Sequence, residues 1–103
     1  MPHPALILFV RLRSSLPREE VERVMRERMP EFQAIEGLQQ KYYLEATDSD
    51  EFAGLYLWRS GADLEAFHAS ELRRTIAEAY GVEGQPRVEV YEVLTPLRDE
   101  GLG

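Results

Sequence analysis

The chain has 103 residues, 44% of them hydrophobic and 30% charged, which describes one globular domain spanning residues 1–103 and excludes a disordered segment. Nineteen acidic against twelve basic residues give a net charge of -7, a surface that repels phosphate backbones and anionic headgroups, so neither nucleic acid nor membrane is an expected partner. No cysteine is present, which removes disulfides, thiolate metal ligands and a cysteine nucleophile together, and no metal site or cofactor is expected.

The chain opens irregularly, with two prolines in its first four residues. The only early apolar run, Ala5 to Val10, is shorter than the ~7–15 residues of a signal h-region, and no later run approaches the ~18 of a membrane span. A cytoplasmic protein is the expectation. Ala5 to Arg11 predicts a strand that is apolar on both alternating faces, Ala5, Ile7 and Phe9 against Leu6, Leu8 and Val10, which suits the middle of a sheet. Ser14 to Leu16 is a loop, and Pro17 suits a first helical turn. The helix that follows places Val21, Val24, Met25 and Met29 on one face, with Phe32 continuing the stripe. Its other face carries Arg18/Glu22, Glu19/Arg23 and Glu22/Arg26 at i, i+4 and reads as a solvated surface. Pro30 is expected to break or kink this helix, and Gly37 to end the segment.

Leu38 to Ala46 is the second strand, polar at Gln39, Gln40 and Lys41 as an edge strand is. Thr47 to Asp50 turns the chain into the third strand, Glu51 to Arg59. Ala53, Leu55 and Leu57 point one way and Gly54, Tyr56 and Trp58 the other, so this strand too is buried on both faces. Ser60 with Asp63 three residues on predicts a helix start. That helix buries Leu64, Phe67, Leu72, Ile76 and Tyr80, either continuously or restarting at Ser70, and Gly81 and Gly84 close it. Arg87 to Leu94 is the last strand, ended by Pro96, and Leu97 to Gly103 is a tail.

The order β-α-β-β-α-β predicts an α+β, ferredoxin-like fold, a four-stranded antiparallel sheet with two helices on one face and the first and third strands central. The other face is left apolar, which calls for a partner. Gly54 reads as a close-packing or bulge position.

The segments EGLQQKYY (Glu36 to Tyr43), AGLYLW (Ala53 to Trp58), LEAF (Leu64 to Phe67) and VYEVLTPL (Val90 to Leu97) resemble the YdhR-like monooxygenases of the dimeric α/β-barrel superfamily, alongside the antibiotic-biosynthesis monooxygenases. The resemblance runs from the first strand to Leu97. It implies a homodimer whose sheet faces meet as a barrel, with a small apolar pocket between sheet and helices in each subunit. It also implies a cofactor-independent oxygenase whose small aromatic or quinol-like substrate supplies the electrons. Haem-degrading members of the superfamily depend on an Asn on the first strand and a Trp and a His on the second helical segment. Here those helix positions look like Phe67 and Ala77, and the chain has no Asn.

Of the chemistry-bearing residues, His68 lies four residues from both Leu64 and Leu72, at or beside the buried face, and is the candidate base. The same spacing fits a boundary histidine bonded to a carbonyl or water. His3 sits in the loose start and reads as exposed. Tyr56, Trp58 and Phe67 are the candidate walls of a pocket for an aromatic ligand, or equally the packing of the core or of a dimer interface. Tyr43 joins them if the hairpin register brings it to the same face, and a shift of one residue substitutes Tyr42. The alternative reading is a ligand-binding or stress-associated homodimer without catalysis.

Overall fold

Alternating apolar residues on both faces make β1 (Leu6–Ser14) and β3 (Phe52–Trp58) the two inner strands. In this computed structural model, which describes residues 4–98, β1 pairs antiparallel with β3 on one side and with β4 (Val82–Glu92) on the other. The polar edge strand β2 (Leu38–Glu45) pairs with β3, so the sheet order is β2-β3-β1-β4. The expectations for His3 and for residues 99–103 lie outside the described residues.

The first helix, α1 (Arg18–Gln33), buries Val21, Val24 and Phe32. With Leu64, Phe67 and Ile76 of the later helices it covers the face carrying Leu8, Val10, Tyr56 and Trp58. This is the predicted ferredoxin-like arrangement, with an open sheet and all helical cover on one side. No helix of the described residues is long and apolar enough to cross a membrane.

Pro30 does not break α1. It sits inside the last turn, and the helix continues three residues past it, with the Ala34 amide donating back to the Pro30 carbonyl at 3.1 Å. On the exposed face Arg18 and Arg26 pair with Glu22 as expected, but Arg23 turns to Glu20 and Glu27 instead of Glu19.

The second helical segment divides into α2 (Gly61–His68), α3 (Glu71–Arg74) and α4 (Ile76–Ala79). Hydroxyl side chains explain the breaks by competing for the backbone. Ser70 Oγ donates to the Phe67 carbonyl at 2.6 Å and accepts from the Arg73 amide at 3.2 Å. Thr75 Oγ1 donates to the Glu71 carbonyl at 3.0 Å. Ser60 caps α2 as expected, its Oγ accepting from the Asp63 amide at 3.2 Å.

The last strand begins at Val82, five residues before the predicted start, and ends at Glu92. Gly81 closes the helical segment with φ +56°, but Gly84, at φ +67°, lies within β4. There Gly84 to Pro86 stand opposite Leu12, between the pairs Arg13/Glu83 and Arg11/Arg87. This is a bulge, and its Gly-Gln-Pro composition imitates a loop.

Candidate active site

The register of the hairpin decides the site. Lys41 lies opposite Tyr56 and Tyr43 opposite Gly54, so Lys41, Tyr43 and Tyr56 share the helix-facing side of the sheet. Tyr42 pairs with Leu55 on the outer side. Gly54 is buried among them, and the register runs through it without interruption, so it serves close packing. A Cβ there would stand 3.0 Å from Tyr56 Cε1 and 3.4 Å from Lys41 Cε. The missing side chain is the space these two occupy.

Between α1, α4 and the sheet lies a cavity of about 50 Å³, walled by Val10, Met25, Lys41, Tyr43, Tyr56 and Tyr80 among others. On the far side of Lys41 and Tyr43 is a second recess of about 390 Å³, at the edge between α1 and β2, walled also by Met29, Phe32 and Gln40. The inner cavity accommodates a diatomic molecule, and only the outer recess has room for an aromatic ring. Lys41 and Tyr43 line both. Neither space has a carboxylate in its wall.

Lys41 Nζ is surrounded by π faces. It stands 3.6 Å from the ring centroid of Phe32 and 4.4 Å from those of Tyr43 and Tyr56. Burial, followed by repulsion from Arg28, brings its pKa down to about 7. Arg28 is held against the helices, its Nη2 donating to the Leu72 carbonyl at 3.0 Å and to Thr75 Oγ1 at 2.8 Å.

The tyrosines shift the other way. Burial drives the Tyr56 phenol well above its ordinary value, reinforced by Tyr80 and Tyr43, and pushes Tyr80 up to about 12. Burial raises Tyr43 as well. All three therefore stay protonated near neutral pH and keep hydroxyl donors for a ligand oxygen.

The aromatic residues singled out in the sequence do converge. Tyr56 and Phe67 have ring centroids 5.5 Å apart, Trp58 and Phe67 5.2 Å, and Phe32 lies 6.1 Å from both Tyr56 and Phe67. Tyr56 and Tyr43 reach the cavity wall, whereas Trp58 and Phe67 belong to the solid core beside it. His68 stands apart. Expected at or beside the buried face, it is exposed: the buried stripe of α2 runs through Leu64 and Phe67, and His68, one residue past Phe67, is turned about 100° from it. There its imidazole faces solvent at the negative end of the helix.

Lys41 is the residue that sequence reasoning left unplaced. The signal was present: the only lysine in the chain, on an edge strand directly before two tyrosines and opposite the most apolar strand. Only the register could turn it inward. Among the described residues no group of His, Cys, Asp or Glu is arranged to hold a metal ion.

A family model described as "Putative mono-oxygenase ydhR" matches residues 7–99. No curated protein matches the chain. Among solved structures, a "putative antibiotic biosynthesis monooxygenase" from Caulobacter crescentus is 13% identical with a TM-score of 0.76, covering 90% of this chain and 92% of that one. SnoaB, a cofactor-independent oxygenase from Streptomyces nogalater, is 14% identical with a TM-score of 0.74, over 91% of this chain and 97% of its own. A Nitrosomonas europaea protein of unknown function is 21% identical with a TM-score of 0.74, over 92% and 94%. At these identities the likeness shows the shared fold.

Proposed function

The chain belongs to the ydhR mono-oxygenase family, and from that premise we propose that it is a cofactor-independent monooxygenase acting on a small aromatic or quinol-like molecule. The observation that carries the reading is the carboxylate-free site between α1 and the sheet, where Lys41 and Tyr43 line two adjoining spaces, one ring-sized and one of about 50 Å³ that Tyr56 and Tyr80 also wall. A quinol needs no cofactor for this reaction. Quinol plus O₂ gives a hydroxyquinone plus water, with all four electrons drawn from the substrate. The protein's part is to bind the ring, favour its anion, which reacts with O₂ far more readily than the neutral phenol, and exclude bulk water. Tyrosine hydroxyls aimed at the developing oxyanion serve the same end.

The working unit in this proposal is a homodimer of the single domain, residues 1–103. On the face turned from the helices, Ile7, Phe9 and Leu55 form a half-buried apolar centre beside Leu57, which is already buried in the single chain. Tyr42 and Tyr91 beside them are 37% and 52% exposed. A second copy laid face to face buries this surface and closes two sheets into a barrel.

The test is oxygen uptake by purified protein with 1,4-dihydroxynaphthalene, after dialysis against chelator and with heat-inactivated protein as the control for autoxidation. Saturable, protein-dependent uptake supports the proposal. Saturable binding with the ligand recovered chemically unchanged would replace it with the non-catalytic reading.

A further inference from the structure

We infer that Lys41 is the proton acceptor of this site: its neutral amine takes the proton from a phenolic hydroxyl seated in the recess beside Phe32 and Tyr43, and the resulting ammonium holds the phenolate. The inference rests on the oxygenase reading for its purpose and on geometry for its content. Lys41 is the only titratable nitrogen that lines both spaces, so a hydroxyl reaching inward from a ring in the outer recess meets Nζ before any other basic atom. The step balances without any other reactant. The phenolic O–H bond breaks, an N–H bond forms on Nζ, and no electron changes hands.

The elements packed around Lys41 bring it no counter-charge, and its ring faces favour the ammonium that forms once the proton is taken. Arg28 comes from α1, Tyr43 from β2, Tyr56 from β3 and Tyr80 from the turn after α4, and no carboxylate stands among them to lock the amine as an ammonium. With its pKa near 7, a large share of the amine is unprotonated at neutral pH, which an exposed lysine does not achieve. Once the proton has moved, the ammonium of a largely desolvated lysine attracts the phenolate more strongly than an exposed lysine would. Phe32, Tyr43 and Tyr56 fix the long side chain by their π faces, so its position is set before ligand arrives.

The experiment uses 4-nitrophenol, whose absorption distinguishes phenol from phenolate, and reads the apparent pKa of the bound probe together with oxygen uptake on 1,4-dihydroxynaphthalene. In the wild type the bound probe's pKa falls by about one unit, a tenfold shift toward phenolate. Lys41→Met reverses the shift and loses turnover. Lys41→Arg, permanently charged, keeps the phenolate but lacks turnover because it cannot accept a proton. His68→Ala behaves as wild type in both readouts. Thermal melts confirm that each variant is folded. A phenolate shift that survives in Lys41→Met, turnover that survives in Lys41→Arg, or a loss confined to His68→Ala would overturn the assignment. A shift present and dependent on Lys41 with no oxygen uptake would uphold the proton acceptor and sink the oxygenase.

Discussion

Lys41 contributes to the pH dependence of folding between about pH 7 and 10.5 as well as to the chemistry of the site. Its pKa is lowered from 10.5 in the unfolded chain to about 7 in the folded one, so between those values the unfolded state binds more protons. Stability therefore rises with pH through that window, and below about pH 7 the full cost of protonating a half-buried amine is present. The three ring faces offset part of that cost. Lys41→Met removes it, and at pH 8 the variant is expected to be more stable by about 2 kcal/mol, with the gap closing toward pH 10.5. Urea unfolding at several pH values measures this. A variant less stable than wild type at pH 8 would contradict the environment described for Lys41. That environment was invisible in the sequence because one residue of register decides whether the side chain at position 41 or at position 42 faces the helices. Tyr56 and Trp58 were legible as a pair on one face, since alternation within one strand needs no partner. His68 was misplaced for a different reason: it stands four residues from Leu64 within α2 but only one residue, about 100° of helix, from Phe67, and so falls past the edge of the buried stripe.

At the scale of elements, β3 connects core to site, with Trp58 and Tyr56 in the core and Gly54 beneath Lys41. Gly54→Val fills the space that Tyr56 and Lys41 occupy, and overpacking of this kind costs about 1–3 kcal/mol. Thermal unfolding should show that loss together with a fall in oxygen uptake, because both displaced side chains belong to the site. A fully stable and fully active Gly54→Val protein would show that the contact is not needed. The strands β1 and β3 could be read from apolar residues on both alternating faces, β2 from its polar opening and the turn after it, and the N-cap at Ser60 from the acidic residue three positions on. The bulge in β4 could not, because Gly84 and Pro86 are residues that also build loops, and only pairing with β1 distinguishes the two. The division of the second helical segment was likewise hidden, since Leu64, Phe67, Leu72 and Ile76 keep a helical rhythm while hydroxyl groups at Ser70 and Thr75 interrupt the backbone.

At the scale of the molecule, helices cover one sheet face, and the other presents Ile7, Phe9 and Leu55 within a ring of Tyr42, Leu44 and Tyr91. The homodimer proposed for this face makes a direct prediction. Native mass spectrometry should show a species of about twice 11.9 kDa for the wild type, and Phe9→Asp, which places a charge at the apolar centre, should return the monomer. A wild-type monomer at micromolar concentration would remove the partner from the proposal. Expectation of that partner came from both faces of two strands being apolar, a pattern local to each strand. The site itself depends on contacts between β2, β3 and α1, which are distant in sequence.

The central claim, that this carboxylate-free pocket oxygenates a ring with no cofactor, is tested most directly by running the 1,4-dihydroxynaphthalene reaction under ¹⁸O₂ and weighing the product. One labelled oxygen atom in a hydroxyquinone, formed by the wild type and absent with Lys41→Met, is the predicted result. An unlabelled quinone, or the same labelled product with Lys41→Met as with wild type, would contradict it.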